Sequence, residues 1–255
     1  MKDFTLEKYR DLLSAISTLQ IPVYGIADWI RTQPRQGLLL RHDIDRQPAN
    51  AIALAQTEKE FGVRATYYFR CSPKGFAVAV IRQIAACGHE IGYHYEDLST
   101  AKGDLTRALD LFKKHLDELR AVVPVQTVSM HGSPASPYDN RDLLQGIDFG
   151  HFNIAGDALL SIDYSRCYYF TDTGRQWRAT PLNFRDRPET CLTAPVSSTD
   201  ELIKFIAAHK DQPLALAVHP ERWPSSLGGY VLSCLSDFAV SWAKRFLLLT
   251  RGTLS

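Results

Sequence analysis

The stretch GLLLRHDID, residues 37–45, joins an apolar run to a charged end. Its first half is typical of a buried strand, and its second half marks the point where that strand leaves the core. PANAIALAQTEKEFG, residues 48–62, then begins with Pro and stops at Gly, as a helix does. VRATYYF, residues 63–69, is rich in β-branched and aromatic residues, which favour a second strand. Residues 37–69 therefore predict a strand–helix–strand unit.

The same alternation continues along the chain. A helical period of apolar residues over 5–19 precedes the first strand. Further helices are expected over residues 76–88, 104–119, 201–210 and 237–249, and further strands over 89–94, 125–131 and 213–219. Strands that alternate with helices imply right-handed βαβ units and a parallel sheet. Because the 255 residues contain no internal repeat or linker, we expect one domain spanning 1–255, an α/β barrel.

Composition narrows the class of protein. Lys and Arg total 29 against 28 Asp and Glu, so neither a nucleic-acid partner nor an anionic membrane surface is supported. The N-terminus lacks the pattern of a secretory signal, and no window reaches the length of a membrane span. Five cysteines, an odd number without a CxxC pair, favour reduced thiols. These features together predict a cytoplasmic enzyme.

Four polar motifs stand at the carboxyl ends of predicted strands: RHDID, HYED, HGSP and HPERW. In a barrel of parallel strands these ends face one mouth, where active sites lie. Asp43 and Asp45 are two residues apart, so an extended backbone directs both side chains to one face. Two close carboxylates ionise together most easily when a cation lies beside them, which indicates a metal ligand and a base. The alternative is that one of the acids caps the following helix.

The histidines supply the nitrogen ligands that such a site needs. His94, His131 and His219 each follow a predicted strand, and a neutral imidazole is the commonest metal ligand. A carboxylate beside His94 would orient its ring from behind. His89 begins its strand at the opposite end, and we interpret it as structural. Any one strand-end histidine alone is better explained by a structural role; their joint placement indicates a site.

With these motifs, the sequence resembles the NodB-homology polysaccharide deacetylases, a carbohydrate esterase family 4-like group of metal-dependent enzymes that remove acetyl groups from N-acetyl sugars. LLLRHDID is similar to the first motif of the family, which has two acids at the end of the first barrel strand, and VRATYYF is similar to its next strand. CGHEIGYH resembles the second motif, which ends on a metal-binding histidine, and LALAVHP resembles the last, which has the catalytic histidine. The resemblance covers residues 38–223 and implies a distorted (β/α) barrel of about seven parallel strands.

The chain also departs from the family pattern. Leu98 stands where the family has its second metal-binding histidine, and Ile44 separates acids that are adjacent in the family. We expect His131, which stands in place of an arginine of the third motif, to replace the missing ligand beside Asp45 and His94. Zn²⁺ is the ion expected there, with Fe, Co, Ni or Mn as alternatives. Two carboxylates are rival third ligands: Asp97 and Glu96.

The resemblance implies a mechanism in which the metal activates water and polarises the amide carbonyl. Asp43 would be the general base, and His219 would be the general acid that protonates the leaving amine, with a neighbouring carboxylate setting its orientation. Aromatic rings suit sugar faces, and arginine suits a carboxylate or a diphosphate, although an ordinary loop with solvated charges is an equal reading. The residues expected to bind substrate are Arg41, Ser133, Asp172, Arg175, Trp177, Arg222 and Trp223.

The combination of RHDID, GYHYEDLS and MHGSP resembles a divergent branch encoded near surface-polysaccharide genes such as O-antigen clusters. The expected function is therefore removal of an N-acyl group, acetyl, from an amino sugar during surface-polysaccharide biosynthesis. The cytoplasmic expectation favours a nucleotide-linked or lipid-linked precursor as substrate. Two alternatives stay open: a C–N hydrolase for a small non-sugar amide, and a catalytically inactive member that binds glycan or regulates a partner.

Overall fold

A computed structural model describes residues 2–133, 135–177 and 187–252. The helices of this part of the chain are α1 (Leu6–Thr18), α2 (Ile26–Thr32), α3 (Asn50–Glu60), α4 (Val78–Ala86), α5 (Asp97–Thr100), α6 (Leu105–Arg120), α7 (Thr199–Ala208) and α8 (Leu227–Gly252). The strands are β1 (Val23–Tyr24), β2 (Gly37–Ile44), β3 (Thr66–Phe69), β4 (Glu90–Tyr95), β5 (Thr127–Met130), β6 (Gly156–Asp157), β7 (Tyr168–Thr171) and β8 (Pro213–Val218). Short 3₁₀ turns cover Asn140–Leu143, Phe149–Phe152 and Pro220–Arg222.

The strands form one parallel sheet in the order β6-β5-β4-β3-β2-β8-β7, and β1 pairs with the first half of β2. These seven strands curl into a half-barrel, which confirms the predicted distorted (β/α) barrel of about seven parallel strands. Crossovers through helices are what parallel neighbours require, because a tight turn cannot join parallel strands. None of the helices in the described residues is long and apolar enough to cross a membrane.

Strand β2 separates two cores. Leu38 and Leu40 face the larger core, where helices pack on the outside of the sheet, and Leu39 faces a smaller one on the other side. On that second side, the close approach of β3 to β4 requires a glycine. A Cβ at Gly92 would lie 2.2 Å from a ring carbon of Tyr68, so no larger residue fits there without displacing the ring. Gly92, the second glycine of GHEIGYH, is therefore required by the packing of β4 against Tyr68.

Most predicted elements are confirmed, within a few residues at their ends. The sequence did not predict β1, α2, β6 or β7, and α8 begins at Leu227, ten residues before the predicted helix. Two of the missed strands are only two residues long, and periodicity cannot indicate so short a run. Strand β7 has only four residues, and it stands in a part of the sequence that has no clear helix or strand pattern.

A buried charged network joins α1, α3, β2 and β3 on the outer side of the sheet. Glu58 is inaccessible to solvent and accepts hydrogen bonds from Tyr9 and from Tyr67, the latter at 2.7 Å, while Nε2 of His42 lies 2.7 Å from its carboxylate. Burial alone would raise the pKa of Glu58, but His42 and these hydrogen bonds outweigh it and lower the pKa. Nearby, His89 donates to the Ala55 carbonyl at 2.9 Å and accepts from a backbone N–H, which agrees with its structural interpretation.

We expect Glu58→Gln to lower the free energy of unfolding by about 2–3 kcal/mol, because hydrogen bonds to a buried charge are lost. The lowered pKa means that this contribution is present above the unfolded-state pKa of about 4.5 and is lost as pH falls through the lower folded-state value. Denaturant unfolding at neutral and at acid pH measures both effects. Glu60→Gln, on the same helix but in an exposed pair with Arg10, is the matched control and should change little. Equal stability of wild type and Glu58→Gln at neutral pH would contradict the expectation.

Candidate functional site

The polar motifs meet at the carboxyl ends of β2, β4, β5 and β8. Asp45 lies one residue beyond β2, His94 lies near the end of β4, and His131 and His219 directly follow β5 and β8. Because β2 pairs with β8, and β4 pairs with β5, these ends are close in space. The expected convergence at one mouth is therefore observed, while the chemical roles of the residues remain predictions.

The carboxylate of Asp45 is the centre of the cluster. Its Oδ1 lies 3.3 Å from Nε2 of His94 and 3.5 Å from Nε2 of His131, and its Oδ2 lies 3.9 Å from Nε2 of His219. The side chains of Asp45 and His131 are 24% and 13% exposed, so solvent reaches the centre from their side. Three imidazoles thus present the same ring nitrogen to one accessible carboxylate.

The other ring nitrogen of each histidine is held from behind by an acceptor. The contacts are His94 Nδ1 to the Ser129 carbonyl at 3.0 Å, His131 Nδ1 to Glu96 Oε2 at 3.0 Å, and His219 Nδ1 to Asp172 Oδ1 at 2.6 Å. A carbonyl or carboxylate oxygen cannot donate, so each Nδ1 carries the hydrogen. In a neutral ring, Nε2 then has a lone pair, and each lone pair faces the oxygens of Asp45.

Lone pairs that face a carboxylate need a cation between them. Oδ1 of Asp45 is buried and has no hydrogen-bond partner among the described residues, which is the condition a metal ion or an imidazolium proton would satisfy. Burial alone would raise the pKa of Asp45, yet His131, His94 and His219 hold it well below its usual range. Burial opposes protonation of His94, but Asp43 and Asp45 outweigh burial and raise its pKa.

In donor chemistry, this cluster fits a divalent metal. One carboxylate and two imidazoles are a common set for zinc and related ions, and the hydrogen bonds at each Nδ1 are the usual support for such ligands. The cluster is more open than a closed metal cage. A tighter cluster lies elsewhere among the described residues, at Cys71, His115 and Glu118. One ligand atom from each of these three side chains lies within 4.8 Å of the other two.

Asp43 lies on the same side of β2 as Asp45, deeper in the half-barrel, and is 3% exposed. Arg41 Nη2 lies 3.3 Å from its Oδ2, while its Oδ1 has no hydrogen-bond partner among the described residues. Arg41 also donates to Ser129 Oγ at 2.8 Å and to the Tyr169 hydroxyl at 3.0 Å, so it links β2 to strands on both sides. Arg41 is 2% exposed and its guanidinium holds Asp43, while its contact with substrate stays a prediction.

The rival third ligands point away from Asp45. Glu96 uses Oε2 for His131 and Oε1 for Arg70, which donates from Nε at 3.1 Å. The carboxylate of Asp97 is directed at His115, 2.7 Å from its Nδ1. Leu98 is buried in the larger core. Of the three candidates, His131 is therefore the one whose ligand atom faces Asp45.

Asp172, one residue past β7, is inaccessible to solvent and accepts four hydrogen bonds. The donors are His219 N at 2.9 Å, His219 Nδ1 at 2.6 Å, Arg222 Nη1 at 2.8 Å and Trp223 Nε1 at 2.8 Å. Arg222 and His219 hold the pKa of Asp172 far below its usual range, although burial opposes them. Burial and Arg222 disfavour protonation of His219, yet Asp172 outweighs both and raises the pKa of His219.

This network contains three of the residues predicted to bind substrate. Asp172, Arg222 and Trp223 are 0%, 5% and 1% exposed, and Arg222 and Trp223 donate to the carboxylate that holds His219. Their contact with substrate stays a prediction. The sequence analysis expected a carboxylate to orient His219 but did not identify it as Asp172, because β7 was not predicted. The only sequence signal for it is an acid that directly follows YYFT, a short run of aromatic and β-branched residues.

Two further residues predicted to bind substrate are engaged by protein contacts. Trp177 is 1% exposed, stacks on Phe4 with ring centroids 5.9 Å apart, and donates to Thr199, so it belongs to the core. Arg175 donates to Asp237 of α8 at 3.0 Å and lies over the Tyr230 ring. Packing and ion pairing engage both groups in this structure, and their contact with substrate stays a prediction.

Ser133 remains at the rim of the site, two residues after His131. Its hydroxyl lies 3.0 Å from His131 Nδ1 and donates to Glu96 Oε2 at 3.1 Å. Asn140, which was not predicted, donates to the His131 carbonyl at 2.7 Å and so fixes the backbone of this loop. Ser133 thus supports His131, and its contact with substrate stays a prediction.

One large cavity among the described residues does not coincide with this chemistry. It measures about 900 Å³ and is lined at the opposite end of the sheet by residues such as Trp29, Gln33 and Pro213, where β8 begins. No cluster of acids and histidines lines that cavity. At the Asp45 cluster, only Asp45 and His131 are partly exposed, at 24% and 13%.

No protein-family model matches the chain, and no curated protein sequence matches it at a significant level. Among solved structures, the chain is similar to a family 4 carbohydrate esterase pseudoenzyme of Bacillus anthracis, with 13% identity and a TM-score of 0.45, over 81% of this chain and 62% of that chain. A mutant family 4 pseudoenzyme with restored enzymatic activity matches with 13% identity and a TM-score of 0.45, over 83% and 63%. A family 4 carbohydrate esterase from Bacillus anthracis matches with 15% identity and a TM-score of 0.39, over 92% and 86%. The chain spans less than two thirds of the pseudoenzyme chains, and its proposed function rests on its own side chains.

Proposed function

We propose that this chain is a metal-dependent hydrolase that removes an N-acyl group, acetyl, from an amino sugar, within one catalytic domain. The observation that supports the proposal best is that Nε2 of each of three histidines faces the carboxylate of Asp45. Each Nδ1 is committed to an acceptor, so each Nε2 is left for a cation or a proton at Asp45. A purely structural cluster has no need to orient three rings in the same sense at an accessible surface.

Asp45, His94 and His131 would hold the ion. A divalent metal held there would polarise the amide carbonyl and lower the pKa of a water molecule towards ~7, from about 16 in bulk. Nitrogen and oxygen ligands with an open side favour Zn²⁺, with Fe, Co, Ni or Mn as alternatives. Glu96 would keep His131 in the correct tautomer, as the Ser129 carbonyl would for His94.

Two residues would move protons. Asp43 has one carboxylate oxygen without a hydrogen-bond partner among the described residues, so it can accept a proton from the attacking water. His219 would protonate the departing amine from Nε2, because Asp172 raises its pKa and fixes its Nδ1–H. The products would be a carboxylic acid, acetic acid in the first instance, and a free amino sugar.

For the substrate, we propose a nucleotide-linked or lipid-linked precursor used in surface-polysaccharide (O-antigen or capsule) biosynthesis inside the cell. The five cysteines, free in the described residues, support a reducing compartment. No nucleic-acid partner is proposed, because the net charge is +1 with no basic surface run. A small non-sugar amide is an alternative substrate for the same chemistry. A glycan-binding member without activity is the second alternative, and Leu98 in place of a ligand favours it.

An assay of acetate and formate release from a panel of nucleotide-linked amino sugars, with simple amides alongside, tests the proposal. Release from an amino sugar that is abolished in His94→Ala supports it. Release from the simple amides alone supports the non-sugar alternative. Binding of glycan without any release, by protein that holds a stoichiometric metal, supports the inactive member.

Metal content gives a second test of the same site. We expect His94→Ala and His131→Ala each to lose one equivalent of divalent metal relative to wild type, because each removes a nitrogen ligand from Asp45. Elemental analysis of purified protein measures this loss. His151→Ala is the matched control, since that ring is 75% exposed and distant from the cluster. If His94→Ala keeps the same metal content as wild type, the proposed site is ruled out. If only His131→Ala keeps it, the site stands but His131 is not its third ligand.

A further inference from the structure

A second cluster of metal-ligating side chains lies outside the Asp45 site. Cys71 follows β3 by two residues, and His115 and Glu118 lie three residues apart on α6, where one helix face brings them together. One ligand atom from each side chain lies within 4.8 Å of the other two. A thiol, an imidazole and a carboxylate at this spacing are a ligand set of the kind that zinc uses.

The imidazole of the cluster is oriented from behind by a buried acid. His115 Nδ1 lies 2.7 Å from Oδ1 of Asp97, which is 1% exposed, and 3.0 Å from the Tyr93 hydroxyl. Because Tyr93 itself donates to Asp97 Oδ2 at 2.7 Å, the hydrogen on Nδ1 belongs to His115. Nε2 is therefore left for the thiol side, which is the carboxylate–histidine arrangement that supports metal ligands.

The other contacts of the Cys71 and Glu118 side chains are weak, so a bound ion could replace them. The Cys71 thiol donates to the Ser72 carbonyl at 3.8 Å, and Glu118 has an exposed pair with Lys114 at 3.9 Å. Binding of the ion would release the thiol proton of Cys71 to solvent.

We propose that Cys71, His115 and Glu118 form a second cation site, separate from the Asp45 site, for a thiophilic divalent ion such as Zn²⁺. Three protein ligands leave a fourth position for water. The site would join the segment after β3 to α6. Arg70, beside Cys71, and Asp97, beside Glu96, connect it to the contact between Glu96 and His131. The bound ion would therefore stabilise the loops around the support of His131.

Titration of the full chain with Co²⁺ tests this site without interference from the other one. The Asp45 site contains no sulfur, so a thiolate-to-cobalt charge-transfer band reports only on a cysteine ligand. We expect such a band in wild type and in Cys87→Ala, a control at another half-buried cysteine, and its loss in Cys71→Ala. Asp97→Asn should weaken binding about 10–100-fold, as expected for a residue that orients a metal ligand. A wild-type protein without the band, or a band that persists in Cys71→Ala, overturns the proposal.

An exposed ligand gives a variant whose folding is not in question. Glu118→Gln should lower the affinity for Co²⁺, whereas Asp110→Asn, an exposed acid on the same helix, should not. In wild type, Zn²⁺ should also protect Cys71 from alkylation by iodoacetamide, as measured by mass spectrometry of the Cys71 peptide. Equal alkylation rates with and without Zn²⁺ contradict the site, and they would leave the Asp45 proposal unaffected because that site has no thiol.

Discussion

Asp172→Asn should lower turnover by up to about 10⁴-fold, the size of the loss when the acid that orients a catalytic histidine becomes an amide. The amide side chain has the same shape, but it lacks the negative charge that raises the pKa of His219. The protonated form of His219, which a general acid needs, then becomes rare near neutral pH. The alkaline limb of the pH–rate profile should move to lower pH, because that limb reports the loss of the proton from the acid. Steady-state kinetics across pH measure both changes.

The same substitution should also cost stability, since Arg222 would lose its buried partner. Removing one member of a buried ion pair costs about 3–5 kcal/mol, so turnover has to be referred to folded protein. The stability that Asp172 contributes is present above the unfolded-state pKa near 3.8 and is lost only as pH falls well below it. Near neutral pH Asp172 stays ionised in wild type, so a difference in the free energy of unfolding between wild type and Asp172→Asn reports the loss of the charge itself.

A double-mutant comparison distinguishes orientation of His219 from a general weakening of the fold. If Asp172 acts through His219, then Asp172→Asn should reduce turnover little further in a His219→Ala background. His219→Ala should lose the same limb of the profile and suffer less with a substrate whose leaving group needs no proton. If the loss of turnover in the double mutant equals the product of the two single losses, and the pH profile is unchanged, Asp172 supports only the structure.

The sequence could predict those parts of the site that depend on local pattern. Asp43 and Asp45 share a side of the chain because strand residues alternate, and strand alternation with helices indicates where His94, His131 and His219 meet. The seven-stranded half-barrel follows from the same alternation and from the family resemblance. No such pattern reveals which acid lies behind each imidazole, because those contacts join residues far apart in the chain. Asp172 and His219 are separated by 47 positions.

The type of a polar residue does not reveal whether its side chain is buried. Arg41, Arg222 and Trp177 have groups that suit sugar recognition, but each is at most 5% exposed. A buried guanidinium requires several acceptors, and these come from β5, β7 and the acid after β7, which a pattern along one strand cannot show. Burial of charge is decided by tertiary partners, so the residue type alone could not separate support from binding.

The second large effect is expected for the general base. Asp43→Asn should lower turnover by about 10²–10⁴-fold with metal content unchanged, because Asn has the shape of Asp but cannot take a proton from water. Arg41 would still donate to Ser129 and Tyr169, so the guanidinium should stay in position. Turnover and metal analysis on the same preparation measure the two parts of the expectation.

An electrostatic role for Asp43 would give a different pattern. Asp43 also raises the pKa of His94, so its charge could matter by tuning that ring instead of by accepting a proton. In that case Asp43→Asn would weaken metal binding and leave the shape of the pH profile unchanged. Ser129→Ala is the matched control, because it removes a neighbouring Arg41 contact and leaves both charges in place. A folded Asp43→Asn protein with near-wild-type turnover would remove Asp43 from the mechanism as general base.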